Sequence, residues 1–432
     1  MRAGLQIFFF LMVFGEWNLQ AQNNSSDLQQ GMENFSTGNY EEALEYLNRA
    51  VTRDKTLSPD MLCKAYYYRG LTYLRIHREV FAGDDQSRQK QYKDAILLSY
   101  KDFKSSLGYD NGTQWQQIDL EIKNLHHPLL QEGLISLNEY NHLAGKGIAA
   151  NELLDRAGHY LLAAREIRET YLVSDLLGQV YLHKGMYSEA ESYFLKSEKL
   201  YTDKLPAEPD FLMAYVFYRL AVIHKPENVR NSLQDIQRGV KLIESEHARF
   251  DTIRVKLSPE RVGQMENQYR QAMRDLRDLK LDLYLDDNDL YVEAVHAFEQ
   301  ELSTSPDDTR LLTGYASLLE QTDREKAITV YLKILSLDPQ QSIALFNLGA
   351  LYYSKGKELL ETAGKTADDQ QYQILLNGAT DNFKLSRDYF EMALAGDPGS
   401  LETVQALKTI AYILDDKEDY LRYQEMESRM KE

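Results

Sequence analysis

Three of the nine prolines in this chain occupy one place in a repeating unit, and that spacing constrains the fold more than any other feature. Over residues 289–400 a small residue is followed four positions later by an aromatic. An apolar or small residue comes three positions further on, and a proline five beyond that. Ala294, Phe298 and Pro306 follow the pattern, with Glu301 its one departure; Ala327, Tyr331, Ile334 and Pro339 follow it, as do Ser386, Phe390, Ala393 and Pro398. Pro306 to Pro339 is 33 residues. A small residue lets two helices approach, an aromatic fills the space between them, and a proline ends the unit because it lacks the amide a continuing helix needs. A second mark lies in the first helix of several units. Leu348-Gly349 followed by Tyr352, and Leu177-Gly178 followed by Tyr181, both read L-G-x-x-Y; Arg69-Gly70 with Tyr73 is a near match. One helical hairpin cannot bury its apolar face alone, so such units must stack.

The rest of the chain agrees. Strand signals are nearly absent, and apolar residues recur at spacings of three and four, as in LLTGYASLLEQ and AYYYRGLTYLRI, the pattern of amphipathic helices. STGNY, SLDPQ, AGDPG and TSPDD read as helix stops followed by starts.

These spacings resemble the tetratricopeptide repeat, a helix–turn–helix unit of about 34 residues. Residues 172–203 are the clearest copy, with Gly178, Tyr181, Gly185, Tyr187, Ala190 and Phe194 in the family's positions. Residues 23–55 form another, with Gly31, Gly38-Asn39-Tyr40, Ala43, Leu47 and Ala50, and residues 308–340 a third. Weaker copies lie at 214–246 and, as a second helix only, at 289–306. The resemblance implies an all-α, right-handed α-solenoid of stacked hairpins. The expected organisation is a leader at 1–21; N-terminal repeats at 22–111; degenerate helical units at 112–168; central repeats at 169–247; a long helical connector at 248–288; and C-terminal repeats at 289–432. Two units are too long. Ala43 to Ser99 is 56 residues and Ala327 to Ser386 is 59, excesses of 22 and 25 over one period. Polar insertions near 80–92 and 355–380 are expected to lengthen both helices of their hairpins and to offer handles for a partner or a second copy.

Residues 1–21, MRAGLQIFFFLMVFGEWNLQA, have a basic start, a short apolar stretch and a small residue, Ala21, before a cleavage point. That layout is a secretory signal peptide, its apolar run too short to span a bilayer. An exported chain, periplasmic or secreted, is expected, of the Gram-negative envelope type and with no membrane span after processing.

Sites for chemistry are scarce. The chain has one cysteine, Cys63, which excludes an internal disulfide and any Cys-based metal site and reads as a buried small residue. Its 49 Lys+Arg against 67 Asp+Glu leave a net charge of −18, which opposes nucleic-acid phosphates. Glu361 to Thr366 ends like a phosphate loop but has Leu359 at the first glycine position and no preceding strand. His126-His127-Pro128 reads as a helix break, since adjacent histidines on a helix point apart. Asp286-Asp287-Asn288-Asp289 lacks the turn glycine of a calcium loop and reads as a solvated helix boundary. No catalytic residue, metal ligand or cofactor is expected.

What remains is a groove. By resemblance to the family, partner-facing positions on the first helices are Tyr67 and Leu71, Asp175 and Gln179, Tyr218 and Val222, Thr313 and Ser317, Phe346 and Ala350. The Lys and Asn of a carboxylate clamp are missing there, so an apolar or extended protein segment is expected. The function implied is a non-enzymatic protein–protein scaffold in the bacterial envelope. The alternatives are a glycan-binding accessory of an outer-membrane importer and an enzyme with an unrecognised site.

Overall fold

The structure, a computed structural model, describes residues 26–52, 57–143 and 148–431. The expected leader therefore lies outside the described residues. Among the described residues there is no strand, and no helix is long and apolar enough to cross a membrane. The chain divides into two compact units, Met1–Val216 and Phe217–Glu432.

The first unit contains α1 (Ser26–Thr37), α2 (Tyr40–Thr52), α3 (Pro59–Ala82), α4 (Gln86–Gln91), α5 (Ala95–Tyr109), α6 (Trp115–Asn124), α7 (His126–Leu143), α8 (Ile148–Ile167), α9 (Tyr171–His183) and α10 (Tyr187–Asp203). Its hairpins are α1/α2, α3/α5, α7/α8 and α9/α10, with α2 packed on α3 and α8 on α9. The boundary falls within α11 (Ala214–His224), and the second unit continues through α12 (Val229–Ile253), α13 (Pro259–Leu285), α14 (Tyr291–Thr304), α15 (Thr309–Leu319), α16 (Arg324–Leu337), α17 (Ser342–Ala363), α18 (Asp369–Gly396), α19 (Leu401–Ile413) and α20 (Lys417–Met430). Hairpins α12/α13, α15/α16, α17/α18 and α19/α20 pair there, with α16 on α17 and α18 on α19. The all-α class and the stacking of hairpins hold within each unit.

One interlock recurs. A Cβ built on Gly178 would lie 2.5 Å from the Phe194 ring, on Gly349 2.9 Å from Phe390, and on Gly70 2.8 Å from Phe103. Only a bare α-carbon lets the ring in. Leucine does the same work at Gly31, 2.6 Å from Leu47, and at Gly133, 2.7 Å from Leu161. Thus α7/α8, inside the stretch expected to be degenerate, is a regular hairpin whose aromatic position holds leucine. The small residues Ala43, Ala190, Ala294 and Ala327 are fully buried, and Ala393 nearly so. The tyrosine of L-G-x-x-Y stacks on the residue before the phenylalanine: Tyr181 on Tyr193 at 5.3 Å, Tyr352 on Tyr389 at 5.6 Å.

Turns are equally regular. Ser305, Asp338 and Asp397 close their helices with φ between −133° and −138°, the extended region that a following proline enforces. Pro306, Pro339 and Pro398 then sit inside turns closed by Asp308, Gln341 and Ser400 amides donating to the Ser305, Asp338 and Asp397 carbonyls at 3.2 Å. Gly38 and Gly185 take left-handed φ of 85° and 72° in Schellman turns. Asp415 makes the same turn at φ 58°.

The two insertions differ from expectation and from each other. Residues near 355–380 extend both α17 and α18, as anticipated. Residues near 80–92 extend only α3; the chain then folds into the short α4. That helix is capped by Asp85 and tied down by Gln89 donating to the Gly83 carbonyl at 2.8 Å and by Arg88 to Glu41. The stretch expected as a connector at 248–288 is mostly α13, packed as a full hairpin arm. Cys63 is buried beside Ser106, and burial pushes its thiol up. His126 opens α7 with its Nε2 3.1 Å from the Arg168 carbonyl, at the expected break. Asp286 caps α13 in the acidic boundary.

Candidate functional site

A concavity beside one predicted recognition face lies in the second unit. Ser258 and Pro259 start α13 as N-cap and first helical residue. Along it Asp278, Leu281, Asp282 and Leu285 lie three, four and seven residues after the first, so one face presents two carboxylates alternating with two leucines. Asp308 caps α15 through the amides of Arg310 and Leu311, which fixes Thr313 and Ser317 one turn apart on a single face. These two helices, with Phe298 of α14 as floor and Gln341 and Ile343 of α17 as lip, enclose about 470 Å³.

The opening has a packing cause. In hairpins α9/α10 and α17/α18 the phenylalanine ring fills the glycine notch of its own first helix. Phe298 instead seats against Gly314 of the next helix, where a Cβ would lie 2.8 Å away. With that ring turned toward α15, the space between α13 and α15 is left as a cleft.

Its electrostatics are uneven. Asp278 is largely buried and takes Arg277 at 3.1 Å and also Arg310. Asp282 is more than half exposed, and Arg310 reaches it only at 3.9 Å. At the other end Ser317 Oγ lies 3.1 Å from the Tyr331 hydroxyl. That hydroxyl donates to Glu320 at 2.5 Å and accepts from Asn347 at 2.7 Å. Burial pushes both Tyr331 and Glu320 up, so the tyrosine stays protonated and serves as a fixed strut between hairpins rather than as a base. Apolar floor, polar ends and a surface carboxylate suit recognition. Among the described residues no group of three or more His, Cys, Asp or Glu is placed to hold a metal.

Of the ten predicted recognition residues, only Thr313 and Ser317 line this cleft. Tyr67 and Leu71 are core residues, not groove residues: Ile118 and Ile122 of α6 share their cluster, so that helix covers the face the position rule assigned to a partner. Phe346 packs its edge on Phe390 at 5.2 Å, while Ala350 is exposed next to it. Gln179 donates to Asp175 at 2.8 Å on α9. Tyr218 is half-buried and Val222 exposed on α11. Asp278, Asp282, Leu285, Arg310 and Ile343 were not singled out by the sequence. The acidic pair at steps of four on a long amphipathic helix was visible, but its α15 neighbour was not. A larger depression of about 700 Å³ between α8 and α10 is lined mainly by charged side chains, including the Lys196–Glu169 pair at 3.1 Å, and holds none of the predicted positions.

Tetratricopeptide repeats are detected at residues 28–57 and 175–204. No match to a curated protein sequence was found. Among solved structures the chain is similar to an assembly chaperone of RpL4 (Acl4, residues 1–338), at 16% identity over 67% of this chain and 99% of that one, TM-score 0.40. It is similar to YrrB, a tetratricopeptide protein described as having an unusual peptide-binding site, at 21% identity over 49% and 88%, TM-score 0.31. The C-terminal part of a tetratricopeptide repeat-containing protein from Cytophaga hutchinsonii matches at 14% identity over 88% and 99%, TM-score 0.32.

Proposed function

We propose that the chain is a non-enzymatic protein–protein interaction scaffold that holds an extended partner segment in the cleft between α13, α15 and the start of α17. The observation behind this reading is the cleft itself: about 470 Å³ with Phe298 at its floor, exposed Ile343 at its lip and predicted Thr313 and Ser317 in its wall. Recognition sites combine such an apolar floor with a few fixed polar groups. The signal-peptide pattern of residues 1–21 supports the reading that this scaffold is exported to the bacterial envelope.

Two measurements test it. A photo-crosslinking residue at Thr313 should trap a discrete protein adduct in intact cells. The same residue at Tyr412, exposed on α19, should not. Equal labelling at both, or none at Thr313, would sink the assignment. Mass analysis of the purified protein should find a mature start near Gln22; a retained leader would refute export.

A further inference from the structure

Resting on that reading of the cleft, we infer that its occupant carries a lysine or arginine beside a bulky apolar side chain. The cation lies against Asp282 and the apolar group covers Leu285 and Ile343.

The lining decides the sign. Two carboxylates, Asp278 and Asp282, face one lining cation, Arg310. That guanidinium is already bound to Asp278. An incoming carboxylate would have to compete with Asp278 for Arg310 while standing near Asp282, and like charges at close range cost more than one pair returns. An incoming cation meets no such obstacle. Asp282 is 58% exposed, and Arg310 only grazes it. The hydroxyl of Thr313 spends its proton on the Thr309 carbonyl at 2.7 Å, leaving its oxygen as an acceptor toward the cleft. Asp282 and Thr313 therefore both offer acceptors to a donor. The chain's net charge of −18 steers a cationic segment in the same direction.

The apolar half has its own evidence. Ile343 is 53% exposed and Leu285 38% exposed at the mouth, above the buried Phe298 ring that supports them. Leu285 follows Asp282 by three residues on the same helical face, so the cation and the apolar group fall on adjacent residues or one residue apart in an extended segment.

The test uses the full chain and a phage-displayed library of random linear peptides. Peptides retained by the wild type should place Lys or Arg next to Leu, Ile, Phe, Tyr or Trp. Their retention should fall as salt is raised, because the Asp282 contact is solvent-screened. Asp282→Lys, at an exposed position, should move the retained pool toward Asp and Glu. Ile343→Glu should cut retention about tenfold or more, with helix content unchanged by circular dichroism. A pool that needs Ile343 but shows no basic preference, or whose preference survives Asp282→Lys, overturns the cationic occupant and leaves the cleft reading standing. A pool indifferent to Ile343→Glu, or no retained peptide, overturns both.

Discussion

Hairpins α3/α5 and α17/α18 absorb insertions of nearly the same length by opposite means. Each keeps one hydrogen bond: Ser99 Oγ donates to the Gly70 carbonyl at 2.8 Å, and Ser386 Oγ to the Gly349 carbonyl at 2.6 Å. Regular units carry alanine there. Beyond that bond they diverge. In α17/α18 the interlock is repeated seven residues along each helix, with Gly356 taking the Phe383 ring at 2.9 Å. Gly349, Gly356 and Ala363 form a buried small-residue seam with a seven-residue step, the period that keeps two helices in contact. In α3/α5 the residue seven beyond Gly70 is His77. Its ring leaves no notch for a second interlock, and α5 begins only just before that level. The chain between them folds back as α4. The pairing is polar where α17/α18 is aromatic: Arg69 clasps Asp102 at 2.6 and 2.8 Å and reaches Asn48 at 3.1 Å. Tyr389 and Leu348 hold the matching positions in the other hairpin. An insertion therefore lengthens a hairpin only if it continues the small-against-large step; otherwise the chain must make a new element to cover the exposed arm.

The comparison can be broken most directly at the rings. Phe103→Ala and Phe390→Ala should each lose about 3–5 kcal/mol in chemical denaturation. Phe383→Ala should lose a similar amount if the second interlock is structural; a loss within error would make the extension of α17/α18 a mere outgrowth. Next comes the ion pair. Burial pushes the Asp102 carboxyl up against the pull of Arg69, so Asp102→Ala, which strands the guanidinium, should cost about 3–5 kcal/mol. The double variant Arg69→Leu/Asp102→Tyr copies the aromatic hairpin and should return most of that stability. If it does not, the polar and aromatic pairings are not interchangeable.

Acid separates the hairpins more gently. Burial, then Arg78, lower His77 to about 4, below the usual imidazole range. Its folded form binds fewer protons than the unfolded chain between pH 6.5 and about 4, so stability is full above that window and falls as pH drops through it. The slope can approach about 1.4 kcal/mol per pH unit. Glu132, 3.8 Å away and pushed up by burial, acts with the opposite sign. Subtracting the profile of His77→Phe cancels it, and a flat difference would show that the imidazole is not held neutral. The smallest effect belongs to the shared bond: Ser99→Ala and Ser386→Ala should each cost about 1 kcal/mol, read as a shift in denaturation midpoint. Unequal losses would mean that the two serines do different work.

The fold was largely legible because its signals are local. Gly178 with Phe194, Gly349 with Phe390 and the three proline turns are each set by spacing along the chain. Hairpin α7/α8 departs from the aromatic spacing because Leu161 fills the place where other hairpins carry a phenylalanine. The seven-residue seam of α17/α18 is written in Gly349, Gly356 and Ala363, but its last two members fall in a stretch whose composition reads as a polar insertion. The candidate site is less legible in the sequence. Tyr67 and Leu71 satisfied the position rule, yet α6 covers them, and no spacing within α3 announces a helix arriving from residues 115–124. The cleft depends on which neighbour Phe298 chooses, a matter of three helices meeting rather than of any one of them.

Asp415 bears on how such an array comes apart. Its turn matches those at Gly38 and Gly185 but holds a residue with a side chain in the left-handed region, a penalty of about 1 kcal/mol. Hairpins that touch only their neighbours cannot share that cost around. The pair α19/α20 should therefore unzip ahead of α17/α18, and its amide hydrogens should exchange with solvent first. Asp415→Gly should slow that exchange, making the turn between α19 and α20 as firm as the turn at Gly185 in the first unit.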